Sequence, residues 1–397
     1  MDEVEDLFIM KKLSLLIVQA LLWGAFAFLP STASAQDDPK AEFERNWFDV
    51  CQTKKDEAKC LPLCKELLEK YPTSSYIKYA KAKLDAKEIA DLWEKFKAAL
   101  AEYYAGPDAP KLEKLFSAGD AFMVKQPDYP YVVAQQGLAG GSAALGEMYK
   151  DKAKAKSYME KALKLFDPST PAPNDDEQKK QIGQFREDIM ALGNQYLGWY
   201  TIQTNGDPQQ ALAYLGKSIA VKTKPNIGWK DPNNYWLRST IYNNDYGKLS
   251  KQYGALPDDQ KTGDAGKEVL KQINVAVDKL IAEYARVIAV ATTLSAKPLQ
   301  DAGRESFNSL WKYRTDAPEK APAYLKSYEA DPTIADVAVP AKAETSMAPP
   351  TGPPTTGGAV KLNAGAGNAP GGSGTATTGT KAAPAKAKAA PVKKKRR

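Results

Sequence analysis

Long stretches of this chain place apolar residues every three or four positions, and this spacing most constrains what the chain can fold into. The segment EIADLWEKFKAALAEYY (Glu88–Tyr104) keeps the spacing of one helix face, and KEVLKQINVAVDKLIAEYARVIAVA (Lys267–Ala291) keeps it over a longer run. Runs of alternating β-branched residues bounded by turns, which indicate strands, are missing from the sequence. The pattern therefore predicts an all-α protein.

Short clusters of Pro, Gly and Asp separate the helical stretches, as in YPTSS, AGPDAP, QPDYP, DPSTPAPND, NGDP and LPDDQKTGD. Such residues end one helix and cap the next. Since the connections are short, neighbouring helices are expected to lie antiparallel. The chain is thus predicted to be a series of helical hairpins.

The second helices of these hairpins share a degenerate pattern, in which a small or apolar residue is followed by others four and seven positions later. Each set lies on one helix face, close to a turn that contains proline. The sets are Cys60, Cys64 and Leu67; Leu115, Gly119 and Phe122; Ala155, Met159 and Ala162; and Ala211, Leu215 and Ser218.

This pattern resembles the tetratricopeptide repeat (TPR) family, whose unit is a helix–turn–helix of about 34 residues. GDPQQALAYLGKSIAVK (Gly206–Lys222) and YMEKALKLFDP (Tyr158–Pro168) carry the resemblance best. The intervals between repeat starts, the last of them at Leu249, are irregular, which predicts that some first helices are over-long, at Ser75–Tyr104 and Glu177–Thr204. The resemblance implies a superhelix of hairpins that binds protein partners along the surface lined by its first helices.

The N-terminal segment differs from the helical region. Residues 1–35 contain a lysine pair, the apolar run Leu13–Pro30 and the small residues Ala33–Ala35, which is the order of a cleaved export signal. The acidic stretch before Met10 is atypical for a signal and favours Met10 as the true start. An uncleaved anchor is the alternative, because the apolar run is nearly long enough to span a bilayer. Export would place the helical region in the periplasm or at the cell surface, where disulfides persist.

The helical region, residues 36–336, gives way to a tail at 337–397 that is rich in Ala, Gly, Pro, Thr and Lys. Such a segment cannot bury enough apolar surface to offset its chain entropy, so a disordered tail is predicted. The tail also carries the charge, with a net +9 in residues 341–397 against zero in 36–340. It is expected to attract anionic polymer or lipid, unless it is only a solvated tether. The basic residues near its end are Lys386, Lys388, Lys393, Lys394, Lys395, Arg396 and Arg397.

The chain contains no histidine, which excludes Ser-His-Asp and Cys-His catalysis and histidine-containing zinc sites. Carboxylates could still serve an enzyme, but no spacing in the sequence supports one. The cysteines at 51, 60 and 64 are too few to complete a closed four-ligand zinc site. No catalytic residue, metal or cofactor is therefore expected.

Placed on the TPR pattern, the three cysteines face the core between the two helices of the first hairpin. If that hairpin turns near Lys55, Cys51 and Cys60 lie at similar heights. Cys60 and Cys64 share a helix four residues apart, which is a poor geometry for a bridge. The expected disulfide is Cys51–Cys60, with Cys64 free and buried.

A partner groove is predicted on the aromatic segment GWKDPNNYWLRSTIYNNDYGKLSKQYG (Gly228–Gly254). On its helix, apolar residues form one face, and Tyr235, Ser239 and Tyr242 form nearly the opposite one. Tyrosine is an efficient contact residue, and the first helices of TPR arrays line the binding surface. The alternative is that both faces pack against neighbouring helices of the same chain.

Together these features predict a non-catalytic protein-binding scaffold or adaptor of the bacterial envelope. The alternative is a polyanion-binding envelope protein in which the tail binds and the helical array is a spacer. Nucleic acid is not expected as a partner, because export separates the tail from chromosomal DNA and no aromatic residues are interleaved with its lysines. No transmembrane helix is expected after signal cleavage.

Overall fold

The computed structural model describes residues 38–224 and 227–342, and all regular secondary structure within these ranges is helical. This confirms the predicted all-α class. A π-helical turn at Asp49–Thr53 continues the first helix, and short 3-10 turns occupy Gly228–Lys230 and Pro318–Lys320. The α-helices of the described ranges are α1 Pro39–Phe48, α2 Glu57–Lys70, α3 Ile77–Ala105, α4 Ala109–Lys125, α5 Pro130–Leu145, α6 Lys152–Phe166, α7 Asp176–Gln203, α8 Pro208–Ile219, α9 Pro232–Gly254, α10 Asp258–Lys261, α11 Asp264–Thr293, α12 Lys297–Arg314 and α13 Ala321–Lys326.

Aspartates cap the N-termini of seven of these helices, and three of them, Asp108, Asp175 and Asp207, belong to the predicted breaker clusters. The carboxylate of each accepts a hydrogen bond from a backbone N–H in the first turn, an arrangement that typically contributes about 1 kcal/mol. Proline follows at the first helical position of α1, α8 and α9, where its fixed φ suits the helix and its missing N–H costs nothing. The capping aspartates are Asp38, Asp56, Asp108, Asp151, Asp175, Asp207 and Asp231.

Consecutive helices pack as hairpins, with α3 against α4, α5 against α6, α7 against α8 and α11 against α12. Each second helix also contacts the next first helix, as α4 does with α5, α6 with α7 and α8 with α9. Some first helices touch directly, since α5 packs against α7 and α9 packs against α11. The fold is therefore a continuous array of helical hairpins, in which the inner helices are covered on several sides.

The four spaced sets of second-helix residues are all buried, on α2, α4, α6 and α8. Glycines on the first helices allow the close approach that this packing needs. A side-chain carbon at Gly198 on α7 would lie 2.8 Å from Leu215 on α8, and one at Gly137 on α5 would lie 2.8 Å from Ala162 on α6. The spacing read from the sequence thus marks the contact faces of the hairpins.

The same spacing recurs in α12, where the sequence analysis did not single it out. Gly303, Phe307 and Leu310 are buried there, and a side-chain carbon at Gly303 would lie 3.1 Å from Val287 on α11. By contrast, Leu249 does not lie on a second helix, because α9, a first helix, runs unbroken from Pro232 to Gly254. The fifth repeat start was therefore placed one helix pair too early.

Two first helices are over-long where the irregular intervals predict it, with 29 residues in α3 and 28 in α7. The 30-residue α11 is as long, although the intervals did not predict it. The start of α3 packs with α2 around Cys64 and Leu67, whereas its end belongs to the large central core with α4 and α5. One continuous helix therefore serves two hairpins. Within the described ranges, none of the helices has the combination of length and apolar character that crossing a bilayer requires.

Candidate functional site

The three cysteines lie together in the first hairpin. Cys51 is in the π turn that follows α1, and Cys60 and Cys64 are one turn apart on α2. The chain reverses between them at Lys55, which has a φ of 53°. The Sγ atoms of Cys51 and Cys60 are 2.10 Å apart and bonded, with their Cα atoms 5.0 Å apart. The hairpin therefore holds a Cys51–Cys60 disulfide beside a free, buried Cys64 thiol.

The free thiol is in direct contact with the bridge and with an indole. The Sγ atom of Cys64 is 3.6 Å from that of Cys60, and the Nε1–H of Trp47 donates to it over 3.3 Å. Burial raises the pKa of Cys64, and it outweighs the opposing effects of the Trp47 hydrogen bond and the nearby Lys83 charge. Among the residues that the structure describes, these three cysteines are the group whose ligand atoms lie close enough together to hold a metal ion, all within 4.8 Å.

The predicted partner groove on α9 is wrong for two of its three residues. Tyr235 and Ser239 are at most 1% exposed. The hydroxyl of Tyr235 donates to the backbone oxygen of Trp229 over 2.8 Å, and that of Ser239 donates to the backbone oxygen of Trp236 over 2.7 Å. Tyr242 is partly buried against the core around α11, with the Lys279 ammonium 5.3 Å from its ring centre. The reason is that α9 lies between α8 and α11, so both of its faces are internal.

A polar seam joins α7, α8 and α9 at the start of α9. The Nε2 atom of Gln195 donates to Asp231 over 2.6 Å, while Asp231 also caps α9. Next to it, the Nδ2 atom of Asn234 donates to the Ser218 hydroxyl and to the backbone oxygen of Gly228. Burial raises the pKa of Asp231, although the hydrogen bonds from Gln195 and Asn233 oppose it. These hydrogen bonds fix the relative positions of α7, α8 and α9.

A row of aromatic side chains connects the first helices α3, α5 and α7. The ring of Tyr131 on α5 lies 6.4 Å from Phe96 on α3 and 5.7 Å from Phe185 on α7, edge to face in both cases. Beside it, Tyr104 on α3 is 37% exposed and its hydroxyl donates to Oε1 of the buried Gln135 over 3.0 Å. The Nε2 atom of Gln135 has no hydrogen-bond partner among the described residues. We call Tyr104, Tyr131 and Gln135 the first-helix patch.

An ion cluster is buried inside the last part of the array. The Nη1 atom of Arg286 and the Nη2 atom of Arg238 both lie 2.9 Å from Oε1 of Glu283. Burial raises the pKa of Glu283, and the two arginines oppose this effect. The guanidinium of Arg286 also lies 4.9 Å from the ring centre of Tyr328. Sequence analysis missed this cluster, although charged residues inside the apolar run 280–291 are a usable signal, because they are rarely buried without partners.

Arg286 makes hydrogen bonds to the first half of the segment 331–342, which we call the C-terminal strap. Its guanidinium donates to the backbone oxygens of Pro332 and Ile334, each over 2.8 Å, and to the carboxylate of Asp336 over 2.7 Å. Further along, the N–H of Val337 donates to the hydroxyl of Tyr328 over 2.8 Å. The strap therefore packs along α11 and α13.

The strap corrects the predicted domain boundary at residues 336 and 337. Val337 and Val339 pack against the core around α11, and the hydroxyl of Tyr324 donates to the backbone oxygen of Val337 over 3.1 Å. Lys342 donates from its N–H to the backbone oxygen of Arg314 and pairs with Asp316 at 3.0 Å. The folded region therefore extends at least to residue 342. Sparse apolar residues gave no periodic signal, because a strap is held by side chains of other segments.

Other predicted features lie outside the described residues. The export signal at residues 1–35 is one of them. The basic tail residues are the other, and these are Lys386, Lys388, Lys393, Lys394, Lys395, Arg396 and Arg397. Comparison of the chain with models of protein families, with curated proteins and with solved structures finds no match.

Proposed function

We propose that this chain is a non-catalytic binding scaffold of the bacterial envelope, built from TPR-like hairpins. The four buried second-helix sets and the glycines that face them are consistent with the TPR resemblance. The export signal read from the sequence supports a place in the periplasm or at the cell surface. The lack of histidine in the whole chain is consistent with a role in binding rather than catalysis.

The observation that carries the proposal is the first-helix patch, which replaces the α9 groove as the partner surface. Tyr104 is one of the few large hydrophobic side chains that the described part of the chain leaves exposed, at 37%. Aromatic residues are enriched in the contact regions of protein interfaces, and tyrosine offers both an apolar ring and a hydrogen-bonding tip. The Nε2 atom of Gln135, which no described residue hydrogen-bonds, lies next to the Tyr104 hydroxyl, and a small shift of Tyr104 would let it donate to a backbone oxygen of a bound chain.

Site-specific photocrosslinking tests this surface. A benzophenone amino acid replaces Tyr104 in the full chain, which is then expressed in the bacterium that naturally makes it and irradiated. The matched control carries the same group in place of Phe48, which is 48% exposed at the far N-terminal end of the array. We expect a discrete protein adduct from position 104 that position 48 does not give. Equal adducts from both positions, or none from position 104, would show that this patch is not the partner surface.

The second candidate is a polyanion-binding protein, and the charge distribution favours it specifically. Residues 343–397 contain nine Lys or Arg and one Glu, whereas residues 36–340 sum to zero. A lysine-rich helix in the array is a weaker source of charge. On α6, Lys154, Lys156 and Lys161 are already paired with Glu113, Glu160 and Asp128. The tail is therefore the better candidate for attracting anionic polymer or lipid.

Elution from a heparin column at rising salt separates the two candidates. The full chain is compared with a variant that ends at Lys342, which keeps the strap. If the tail binds polyanions, the full chain elutes at clearly higher salt than the shortened one. Identical elution of the two proteins would remove the polyanion function and leave the scaffold proposal unaffected.

A further inference from the structure

The first hairpin holds three sulfur atoms in one buried cluster, and the cysteines that supply them are the only three in the chain. Two are bonded to each other, and the third lies 3.6 Å from Cys60. A disulfide uses only two of these sulfurs. The third is held beside the bridge by α2 itself, since Cys60 and Cys64 lie one helical turn apart.

We propose that, once the Cys51–Cys60 bridge is reduced, the three thiols bind one thiophilic metal ion of the Cu(I) class in an all-sulfur, three-coordinate site. A dithiol reductant supplies two electrons and two protons to the bridge, which becomes two thiols while the reductant becomes a disulfide. When the ion binds, the thiols that ligate it release their protons to solvent, and the ion keeps its oxidation state. The disulfide and the ion use the same sulfur atoms and exclude each other, so oxidation of Cys51 and Cys60 to the disulfide prevents metal binding.

The sulfur positions are close to those that such an ion needs. With metal–sulfur bonds of about 2.3 Å, three sulfurs around one ion lie about 4 Å from one another. Cys60 and Cys64 already have their Sγ atoms 3.6 Å apart, and all three Sγ atoms lie within 4.8 Å. Only Cys51 must move, by about 2 Å away from Cys60 once their bond is broken.

Two further features of the hairpin favour a site over mere packing. The Nε1–H of Trp47 donates to the Sγ atom of Cys64 over 3.3 Å, which is the kind of outer contact that orients a metal ligand. Cys51 lies in the π turn Asp49–Thr53, and single π turns inside helices occur frequently at functional sites. The extra residue of that turn sets the position from which Cys51 reaches α2.

The ligand set determines the class of ion. Thiolates are soft ligands that select ions such as Cu(I), whereas carboxylate and carbonyl oxygens suit Mg²⁺ and Ca²⁺. A structural zinc site requires four ligands, and no fourth ligating side chain joins the cysteines within the described part of the chain. The ion reaches the buried thiols by opening of the N-terminal hairpin, whose small core is separate from the large central one.

Competition with bicinchoninate tests the proposal on the full-length protein. The chain is reduced with a phosphine under anaerobic conditions and titrated with Cu(I), while thiolate-to-copper absorbance is followed in the near ultraviolet. We expect one Cu(I) per chain in the reduced protein and none in the oxidised protein. This comparison needs no variant and therefore does not depend on the folding of any mutant.

Substitutions then test the ligand set. Cys64→Ser should lower the Cu(I) affinity of the reduced protein by about tenfold or more, since one of three ligands is lost. Its far-ultraviolet circular dichroism establishes that it is folded, and Cys51→Ser serves as a second variant with the same expected loss. Equal Cu(I) binding by oxidised and reduced wild type, or wild-type affinity in both variants, would overturn the proposal. Tighter binding of Zn²⁺ than of Cu(I) would overturn the assigned class of ion.

Discussion

Replacing Arg286 by methionine should destabilise the last part of the array strongly. The change keeps a side chain of similar length but removes the hydrogen bonds to Pro332, Ile334 and Asp336, and one partner of Glu283. Removing one member of a buried ion pair typically costs about 3–5 kcal/mol, because the other charge is left uncompensated. Glu283 keeps Arg238 at 2.9 Å, and the freed strap oxygens can turn to water, so we expect about 3 kcal/mol.

Urea unfolding followed by circular dichroism measures this loss, and amide hydrogen exchange reports whether residues 331–342 lose protection first. The matched control is Lys297→Met, because Lys297 pairs with Asp301 while the two side chains are 77% and 59% exposed. An exposed pair of this kind contributes about 0.5 kcal/mol or less. Arg286→Lys should fall between the two, since it keeps the charge without the planar fork.

The reasoning is refuted if Arg286→Met and Lys297→Met lower the free energy of unfolding equally. It is also refuted if strap protection stays unchanged in Arg286→Met. Either result would show that the strap is held by its apolar contacts and not by the guanidinium.

Three other changes test separate features. Gly228→Ala should lower the free energy of unfolding, measured by thermal melts, by about 2–3 kcal/mol, because Gly228 has a φ of 59° and the new Cβ would lie 2.8 Å from the backbone oxygen of Ser218. The control Gly216→Ala has open space around it and should cost no stability. Burial raises the folded-state pKa of Asp231, so the wild-type protein loses stability as the carboxyl group ionises. Asp231→Asn cannot ionise and should therefore gain stability relative to wild type as the pH rises above about 4. A difference in unfolding free energy between the two proteins that stays constant from pH 3 to 7 would contradict this. A chain ending at residue 342 should melt like the full chain, and one ending at residue 330 should melt several degrees lower, so equal melting of both would show that the strap adds no stability.

The helical class and the contact faces of the hairpins could be predicted from the sequence because they depend on local spacing. Leu215 and Ser218 lie four and seven residues after Ala211, and this alone places them on one face. The partner groove could not be predicted in the same way. Periodicity shows that α9 has two distinct faces, but the second face, with Tyr235 and Ser239, is covered by another helix of the same chain.

The strap and its ion cluster depend on contacts between residues far apart in the chain, and local patterns carry little information about these. Arg286 and Asp336 are 50 residues apart, and nothing in the spacing of either segment indicates the other. The composition from Val337 onward predicted a tail without structure, yet Val337 and Val339 pack against the core around α11, and Val337 exchanges hydrogen bonds with Tyr324 and Tyr328. Composition indicates how much apolar surface a segment can bury by itself. The strap is instead held in place by side chains that lie elsewhere in the chain.

The continuity of α3 limits how this array can be shortened or extended. In a regular repeat protein, one hairpin can be removed because each unit contacts only its neighbours through similar surfaces. Here Ala80 and Leu84, at the start of α3, pack with the first hairpin, and Phe96 and Leu100, further along, belong to the next core. Removal of the first hairpin would leave the apolar start of an unbroken rod projecting into water. The smallest modular unit at this end is therefore two hairpins, and any duplication or loss during evolution would have to respect that unit.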